Sequence, residues 1–416
     1  MSPPEGLDSR WGTVVLSMRF RLYPTPKLEL LLVEHCAHAR FIWNLALEQA
    51  NYYQPQWGAT PSYVAQSRQL TEARKAYEWL AAGSFMVQQQ ALRDFAQAMR
   101  NWWAGTHGRP TWRKRGLNDG FRVVGFKAEH VRRLNRRWAE VRVPKVGWVR
   151  FRWTCPIGEV KSYRVTRDAS GRWHIAFARL PDPIERTPTG AVVGIDRGIV
   201  NTLATSDGEF VHAPSMTQPE RARLACLQRK LARQEKGSGR RERTRLAIAR
   251  LRARETDRVK DWVEKTTTSL VVDFDLIAIE ALRVKNMTRS ARGTVEMPGR
   301  KVRQKAGLNR EILASRWGLF GRRLRDKCDL AGVMLVEVNP AFTSRRCHAC
   351  GHTTEENRES QAVFRCVACG YSANADVNAA RNVLAAGQAV AARGGADLLA
   401  SLNREPQLAS APRAAA

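Results

Sequence analysis

The sequence lacks a stretch able to cross a bilayer, which takes about 18 or more consecutive apolar residues. Its longest apolar run, around Leu270 to Leu282, is broken by Asp273, Asp275 and Glu280. The opening MSPPEGLDSRWG sets Pro, Glu and Asp where a secretory leader needs a basic start and an apolar core. No membrane partner is expected. Cysteine is sparse: of eight in 416 residues, Cys36, Cys155, Cys226 and Cys328 are scattered. That is no disulfide framework, and a reducing cytosol is expected. Acidic residues are scarce too, 39 against 69 Lys and Arg, for a net charge of +30 and a pI near 10.8. A cation excess of this size calls for a polyanion, and with membranes set aside that means nucleic acid. Apolar residues are not scarce: 44% excludes wholesale disorder, and the length allows two or three domains with cores.

Along the chain, residues 1–14 read as a flexible tail. VLSMRFRLYPT alternates as a strand up to Pro24, and ARFIWNLALEQANYY and VQQQALRDFAQAMRNWW follow as helices. From about Phe121 to Leu180, short alternating strands are separated by turns at Gly147, Asp168 and Gly171. PDPIERTPTG, with three prolines, contains a linker over 183–189. AVVGID is a buried strand, residues 216–260 a basic helical pair broken by GSG at 237–239, and SLVVDFDLIAIE another buried strand. LNREILASRWGLFGRRLRDKCDLAG reads as one amphipathic helix, VMLVEVNP as a strand, and ADVNAARNVLAAG as a helix stopped by Gly387. Residues 388–416 read as a disordered tail.

The other four cysteines form two matched knuckles, CHAC at Cys347 and Cys350 and CVAC at Cys366 and Cys369, each followed by glycine. Each C-x2-C turn presents two thiolates a tetrahedral edge apart, and two turns complete a four-coordinate structural Zn2+. An iron–sulfur centre is the weaker competitor. His348 and His352 read as surface residues, because four sulfurs saturate the metal.

Three carboxylates stand out by position. Asp196 and Glu280 end the apolar runs AVVGI and LIAI, and Asp376 opens a helix. Carboxylates at the ends of neighbouring strands, completed by one from a packed helix, suit two Mg2+ ions and phosphodiester hydrolysis. Taken singly, each also suits a turn or helix-cap role, and Asp273, Asp275 and Glu337 compete with them.

The ordered set GIDRG (194–198), AIEALRVKNM (278–287), TSRRCHACG (343–351) and FRCVACGYSANADVNAARN (364–382) closely resembles the TnpB family of transposon-encoded RNA-guided DNA nucleases, relatives of the type V CRISPR effectors. RFRLYPT, RFIWNLALEQ and LRDFAQAMRNWW resemble its N-terminal region, so the likeness covers roughly residues 18–385. It implies an α/β plus β chain. The C-terminal part would be a RuvC-like RNase H fold (190–340 and 374–387) with an inserted zinc ribbon (341–373). The N-terminal part (15–182) would be a wedge β-barrel with a helical recognition insert at about 35–115. It further implies catalytic, Mg2+-holding Asp196, Glu280 and Asp376, a guide RNA from a transposon or a CRISPR array, a double-stranded DNA target, and a cytoplasmic, nucleoid-associated setting in a prokaryote. The run Asn374-Ala375-Asp376 departs from the family, many of whose members carry Asp and then Arg ahead of the last acid.

Residues 100–153 hold 15 Lys or Arg against 3 acids, with six tryptophans among them. Cations beside aromatics suit a groove that tracks a nucleic-acid backbone. The contact candidates are Arg100, Arg113, Lys114, Arg115, Arg132, Arg133, Arg136, Arg137 and, on the last helix, Arg381. Most of the tryptophans are expected to fill cores. Residues 288–306, rich in Gly and Arg, read as a segment able to cover the nuclease pocket. The leading function is an RNA-guided DNA endonuclease. The alternatives are an RNA-guided binder that silences without cutting, and a DNA transposase.

Overall fold

The structure is a computed structural model and describes residues 16–52, 61–179, 181–294 and 296–402. Expectations for residues 1–14 and 403–416 lie outside the described residues. The chain divides into two units, one comprising residues up to Pro181 with 222–253, the other Asp182–Arg221 and the chain from Arg254 on.

In the first unit, the alternation of LSMRFRLY makes strand β1 (Leu16–Tyr23), with Phe20 and Leu22 buried. Thr25 and Pro26 then start a helix: the Thr25 hydroxyl accepts from the Leu28 N–H, and proline takes a first-turn place where its missing N–H costs nothing. Helices α1 (Pro26–Asn51), α2 (Tyr63–Ala76), α3 (Glu78–Ala82) and α4 (Phe85–Trp103) follow. The helical part therefore begins at Pro26, earlier than residue 35. Strands β2 (Gly120–Val124), β3 (Val131–Arg133), β4 (Trp138–Val143), β5 (Gly147–Arg152), β6 (Ser162–Arg167) and β7 (Trp173–Arg179) complete a seven-stranded sheet in the order β2-β6-β7-β1-β5-β4-β3. β1 pairs antiparallel with β7 (Phe20 opposite Ile175) and with β5 (Leu22 opposite Phe151). One apolar core joins this sheet to α1 and α4 through Leu32, Ile42, Phe95, Phe151 and Phe177.

In the second unit, β8 (Val192–Asp196), β9 (Leu203–Thr205) and β10 (Phe210–Val211) run antiparallel. Helices α5 (Gln218–Arg233) and α6 (Gly239–Asp273), whose residues 222–253 group with the first unit, form a hairpin and lead to β11 (Leu276–Glu280). After α7 (Val284–Met287), α8 (Val302–Ala314) and α9 (Trp317–Ala331) comes β12 (Met334–Val338). The five-stranded order is β10-β9-β8-β11-β12, with β8, β11 and β12 parallel. A small two-stranded ribbon, β13 (Val363–Arg365) and β14 (Ser372–Asn374), precedes α10 (Ala375–Leu402).

Three expectations need correction. The run SLVV belongs to α6, not to a strand. An apolar run this short fits either state, and Leu270 and Val271 pack their helical face into the core of this unit. The helix expected through 331 is two helices, α8 and α9. Arg316 takes a left-handed φ of 54° between them, redirecting the chain so that Trp317 and Phe320 are buried. Gly387 does not stop α10, so 388–402 is helical rather than a disordered tail. A Cβ there would stand 2.4 Å from the Ala278 Cβ. Glycine is present because the helix lies directly on β11. Gly194 does the reciprocal service: a Cβ on it would lie 2.2 Å from the Ala380 carbonyl oxygen. Among the described residues, no helix is long and apolar enough to cross a membrane.

Candidate active site and metal centre

Parallel pairing of β8 with β11 brings Asp196 and Glu280 to the same sheet end, and α10, lying on both strands, starts there with Asp376. Asn374 caps that helix, its side-chain oxygen accepting from the Asp376 N–H at 2.9 Å. Burial, together with the Glu280 and Asp376 charges, pushes the Asp196 carboxyl up to about 7. Burial also raises Glu280, against a hydrogen bond from Thr343 and the Arg197 charge. A buried carboxyl raised further by two neighbouring carboxylates marks a site built for cations. Among the described residues, the four cysteines described below are the one group of three or more candidate metal ligands with every ligand atom within 4.8 Å of the others.

Glu280 and Asp376 each have a partner that orients the carboxylate. The Thr343 hydroxyl donates to Glu280 Oε1 at 2.8 Å, and Asn201 Nδ2 donates to Asp376 Oδ2 at 2.8 Å. Buried Arg197 donates from Nη2 to the Glu280 main-chain carbonyl. The competing acids are committed elsewhere. Asp275 holds Arg186 and the Thr189 and Gly190 N–H groups, and Glu337 pairs with Arg325. Asp273 accepts from Ser269.

Arg381, expected as a nucleic-acid contact, is not the cation that reaches Asp376. Arg381 is spent within the fold, donating to the Ser206 carbonyl at 3.1 Å and the Tyr371 hydroxyl at 2.7 Å. Arg358, between the two knuckles, reaches Asp376 Oδ1 at 3.8 Å with its side chain one-third exposed. Ala375, at the position where many family members carry arginine, is fully buried beside Cys347, Phe364 and Cys366.

The two knuckles repeat one hydrogen-bond pattern. The Gly351 N–H donates to the Cys347 carbonyl and the Gly370 N–H to the Cys366 carbonyl, both at 2.9 Å. Cys347 and Cys369 sulfurs lie 3.7 Å apart, and those of Cys350 and Cys366 lie 3.6 Å apart. A tetrahedral zinc with Zn–S near 2.3 Å has sulfur edges of about 3.8 Å, so the four thiols fit the ion. His348 and His352 are exposed, as expected. The base of this ribbon is fastened to α10. Asn378 bonds the His348 N–H and the Arg346 carbonyl, and Asn382 donates to the Thr343 and Arg346 carbonyls at 2.9 and 2.7 Å. Sequence reasoning missed Thr343, Asn201, Asn378, Asn382 and Arg358. Only Asn378 and Asn382 left a signal, two amides four residues apart on one helix face behind a candidate acid.

The basic stretch lies in the first unit. None of its six tryptophans is fully buried, contrary to expectation, and Trp103 and Trp112 are 61% and 50% exposed. Half-buried rings turn one face to the protein and carry guanidinium groups: Arg132 on Trp148 at 4.3 Å, Arg133 near Trp153 at 5.5 Å, and Arg109 on Trp102 at 5.3 Å. Arg113 lies 3.6 Å from the Trp43 ring centre, and burial lowers its pKa to about 10, which leaves it cationic. Arg132 also pairs with Glu140, and Arg100 donates to Gln97. Lys114, Arg115, Arg136 and Arg137 are exposed.

Three family models match the chain: "Helix-turn-helix domain" over 14–56, "Probable transposase" over 174–291, and "Cas12f1-like, TNB domain" over 317–383. The described residues of the first match form β1 and the single helix α1. The "Putative RNA-guided DNA endonuclease InsQ" of Escherichia coli K12 is 37% identical over 390 residues, 91% of this chain and 94% of the relative. A "Putative RNA-guided DNA endonuclease" of Streptomyces pristinaespiralis is 32% identical over 91% of this chain and 90% of its own. Among solved structures, a Cas12f1–sgRNA–target DNA complex aligns with a TM-score of 0.53 at 11% identity, over 89% of this chain and 98% of that one, a likeness of fold. With the site's acids at the motif positions and this length of similarity, the chain belongs to the TnpB family of transposon-encoded RNA-guided DNA nucleases.

Proposed function

We propose that this protein is an RNA-guided DNA endonuclease that hydrolyses phosphodiester bonds at Asp196, Glu280 and Asp376. The observation that carries the assignment is the approach of these acids from β8, β11 and α10, with Asp196 pushed up to about 7 by burial and by the Glu280 and Asp376 charges. The order β10-β9-β8-β11-β12, antiparallel on one side and parallel on the other, supports a RuvC-like RNase H fold. The seven-stranded antiparallel sheet with α1–α4 supports a wedge barrel with its helical recognition part. On this reading the nuclease spans 190–340 and 374–387, with the ribbon at 341–373, and the protein works at the nucleoid of a prokaryotic cytoplasm.

The three carboxylates form an all-oxygen donor set suited to Mg2+, and the four thiolates suit Zn2+. Bound Mg2+ would supply an activated water and charge stabilisation at the scissile phosphate. The chain's own residues set the geometry. Thr343 and Arg197 fix the Glu280 carboxylate and its backbone, and Asn201 fixes Asp376. Arg358 offers a guanidinium at the Asp376 edge, where an entering phosphate would draw it away from the carboxylate. The ribbon, closed by four sulfurs, has no position for substrate and acts by holding Thr343 and Arg358 in place. The stacked arginines of the first unit would track the guide RNA and its heteroduplex by phosphate contact, leaving sequence to base pairing.

The test is cleavage of a duplex carrying the guide's target, with RNA copurified from the native locus and Mg2+ present. Cutting should require guide and target together and vanish in Asp196→Ala. Cutting that persists in that variant, or that ignores the guide, would refute the assignment.

A further inference from the structure

A cation costs far more to bury than a neutral donor unless a carboxylate pairs with it. Lys327 of α9 shows the ordinary solution. It is buried, stands 3.1 Å from Glu264 Oε2, and donates to the Glu264 carbonyl at 2.6 Å and the Thr268 hydroxyl at 2.7 Å. Arg197, the residue after the first acid, is different. It is 8% exposed, yet among the described residues it makes no ion pair. Its Nη2 donates to the Glu280 main-chain carbonyl, its Nε is buried with no acceptor, and its Nη1 faces Gly321 of α9, where a Cβ would stand 3.5 Å away. A neutral amide could serve that carbonyl equally well. The charge of Arg197, which stays protonated at any ordinary pH, therefore answers to something other than hydrogen bonding.

The charges that face it come from four elements: Asp196 on β8, Glu280 on β11, Glu337 on β12 and Arg325 on α9. Glu337 and Arg325 pair with each other, so their effects on Arg197 oppose. What remains is the two acids of the carboxylate centre. Arg358, the cation that meets Asp376 from the ribbon, has a side chain one-third exposed and is free to turn to a phosphate. Burial denies Arg197 that choice. The centre thus has one movable cation at its edge and one fixed cation at the Glu280 main chain.

We propose that Arg197 is a fixed counter-cation of the carboxylate centre, a positioning residue that partly neutralises the acids while no metal is bound and thereby raises the Mg2+ concentration the centre needs. The proposal rests on the reading of Asp196, Glu280 and Asp376 as the metal-holding acids. With all three ionised, the guanidinium leaves the empty centre with two net negative charges rather than three, enough for one divalent ion. It leaves the counter-charge for a second to be supplied by an entering phosphate.

The experiment uses the full chain with its zinc, freed of nucleic acid, and follows Mn2+ as the probe by electron paramagnetic resonance. The signal lost in Asp196→Ala defines binding at the carboxylate centre. Arg197→Met removes the charge and keeps the apolar stem, Arg197→Gln removes the charge and keeps a donor, and Arg197→Lys keeps the charge. A unit charge about 7 Å from a divalent ion changes its affinity by a factor on the order of ten even at the permittivity of water. Mn2+ should therefore bind roughly tenfold more tightly to the Met and Gln variants, with the Lys variant close to wild type. In guided cleavage, the Mg2+ concentration for half-maximal rate should fall in the same two variants. Without divalent metal both should unfold at lower urea than wild type, and Mn2+ should restore more of their stability than it adds to wild type.

A residue that merely braces Glu280 predicts the opposite: weaker Mn2+ binding in the Met variant, with recovery in the Gln variant. The proposal is overturned by that pattern, or by a Lys variant that tightens binding as much as the other two. A charge-free variant that is unfolded without metal and folded by Mn2+ supports the counter-cation role; one that Mn2+ does not fold either makes Arg197 a structural strut and refutes it. Wild-type protein with no Mn2+ signal sensitive to Asp196→Ala refutes the metal-holding reading of the acids. A sensitive signal of equal affinity in every Arg197 variant refutes this inference alone.

Discussion

Replacing Asp196 by Asn should abolish cutting and at the same time stabilise the Mg2+-free protein. The carboxyl is half-buried at the end of β8 and pushed from 3.8 to about 7 by burial, Glu280 and Asp376. Because its folded-state pKa lies above the unfolded one, the native chain holds more protons than the unfolded chain between about pH 4 and 7. Stability at this position is therefore complete below that window, is lost as pH rises through it, and stays low above pH 7. At about 1.4 kcal/mol per pKa unit, the ceiling is roughly 4 kcal/mol. Relaxation of the site and the burial cost of the amide reduce the expected gain at pH 8 to about 1–2 kcal/mol. The assay is urea unfolding of both proteins at pH 5 and pH 8, in Mg2+-free buffer without strong chelator so that zinc is kept. The Asn variant should win clearly at pH 8, and its advantage should shrink towards pH 5. A variant less stable at pH 8, or a gain independent of pH, would refute this account of a carboxyl raised by burial and by its two acidic neighbours.

Thr343→Val removes the donor to Glu280 and should cut cleavage roughly 10–100-fold while raising the Mg2+ concentration needed, with Thr343→Ser restoring both; a Mg2+ titration of cleavage checks this. Cys366→Ser should lower bound zinc well below one ion per chain by elemental analysis, and cleavage should fall with it, because the ribbon frames Thr343 and Arg358. Gly194→Ala would press a methyl against the Ala380 carbonyl 2.2 Å away, so urea unfolding should show a loss of about 1–3 kcal/mol or more.

The parts legible in the sequence were those where chemistry is written at fixed spacing. Two C-x2-C knuckles can close on little besides a metal. An acid ending an apolar run reaches the end of a buried strand wherever that strand pairs. Residues whose importance lies in contacts over long sequence distance were not legible. Thr343 matters through Glu280, 63 residues away, and Asn201 through Asp376, 175 residues away. Arg381, expected to contact nucleic acid from the last helix, is turned to Ser206 and Tyr371, and the ribbon instead carries Arg358 to Asp376. Gly387 misled because a glycine after a helical run is the usual stop signal, while its use here depends on Ala278 lying beneath it. The tryptophans misled for a related reason. Composition shows that rings and arginines are mixed, but only the fold shows which ring face the protein covers.

The seating of α10 has a mechanical consequence. Most helices rest on a sheet through a layer of side chains, which can change rotamer and let the helix slide. Here Gly194 and Gly387 remove that cushion at two points, so α10 bears on the backbone of β8 and on Ala278 of β11. Sliding it along its axis would drive the Ala380 carbonyl into the β8 main chain or the Gly387 backbone into the Ala278 methyl, neither of which has a rotamer to change. The spacing between Asp376 and the acids on β8 and β11 is thus keyed at these two close approaches, like a tongue in a groove, with Val383 packed on Ala278, Val336 and Val338 beside them. Whatever adjusts within this unit as a phosphate enters must do so in parts that are not keyed in this way, the Arg358 segment of the ribbon and the turn carrying Asn201, while the helix between them serves as the fixed datum.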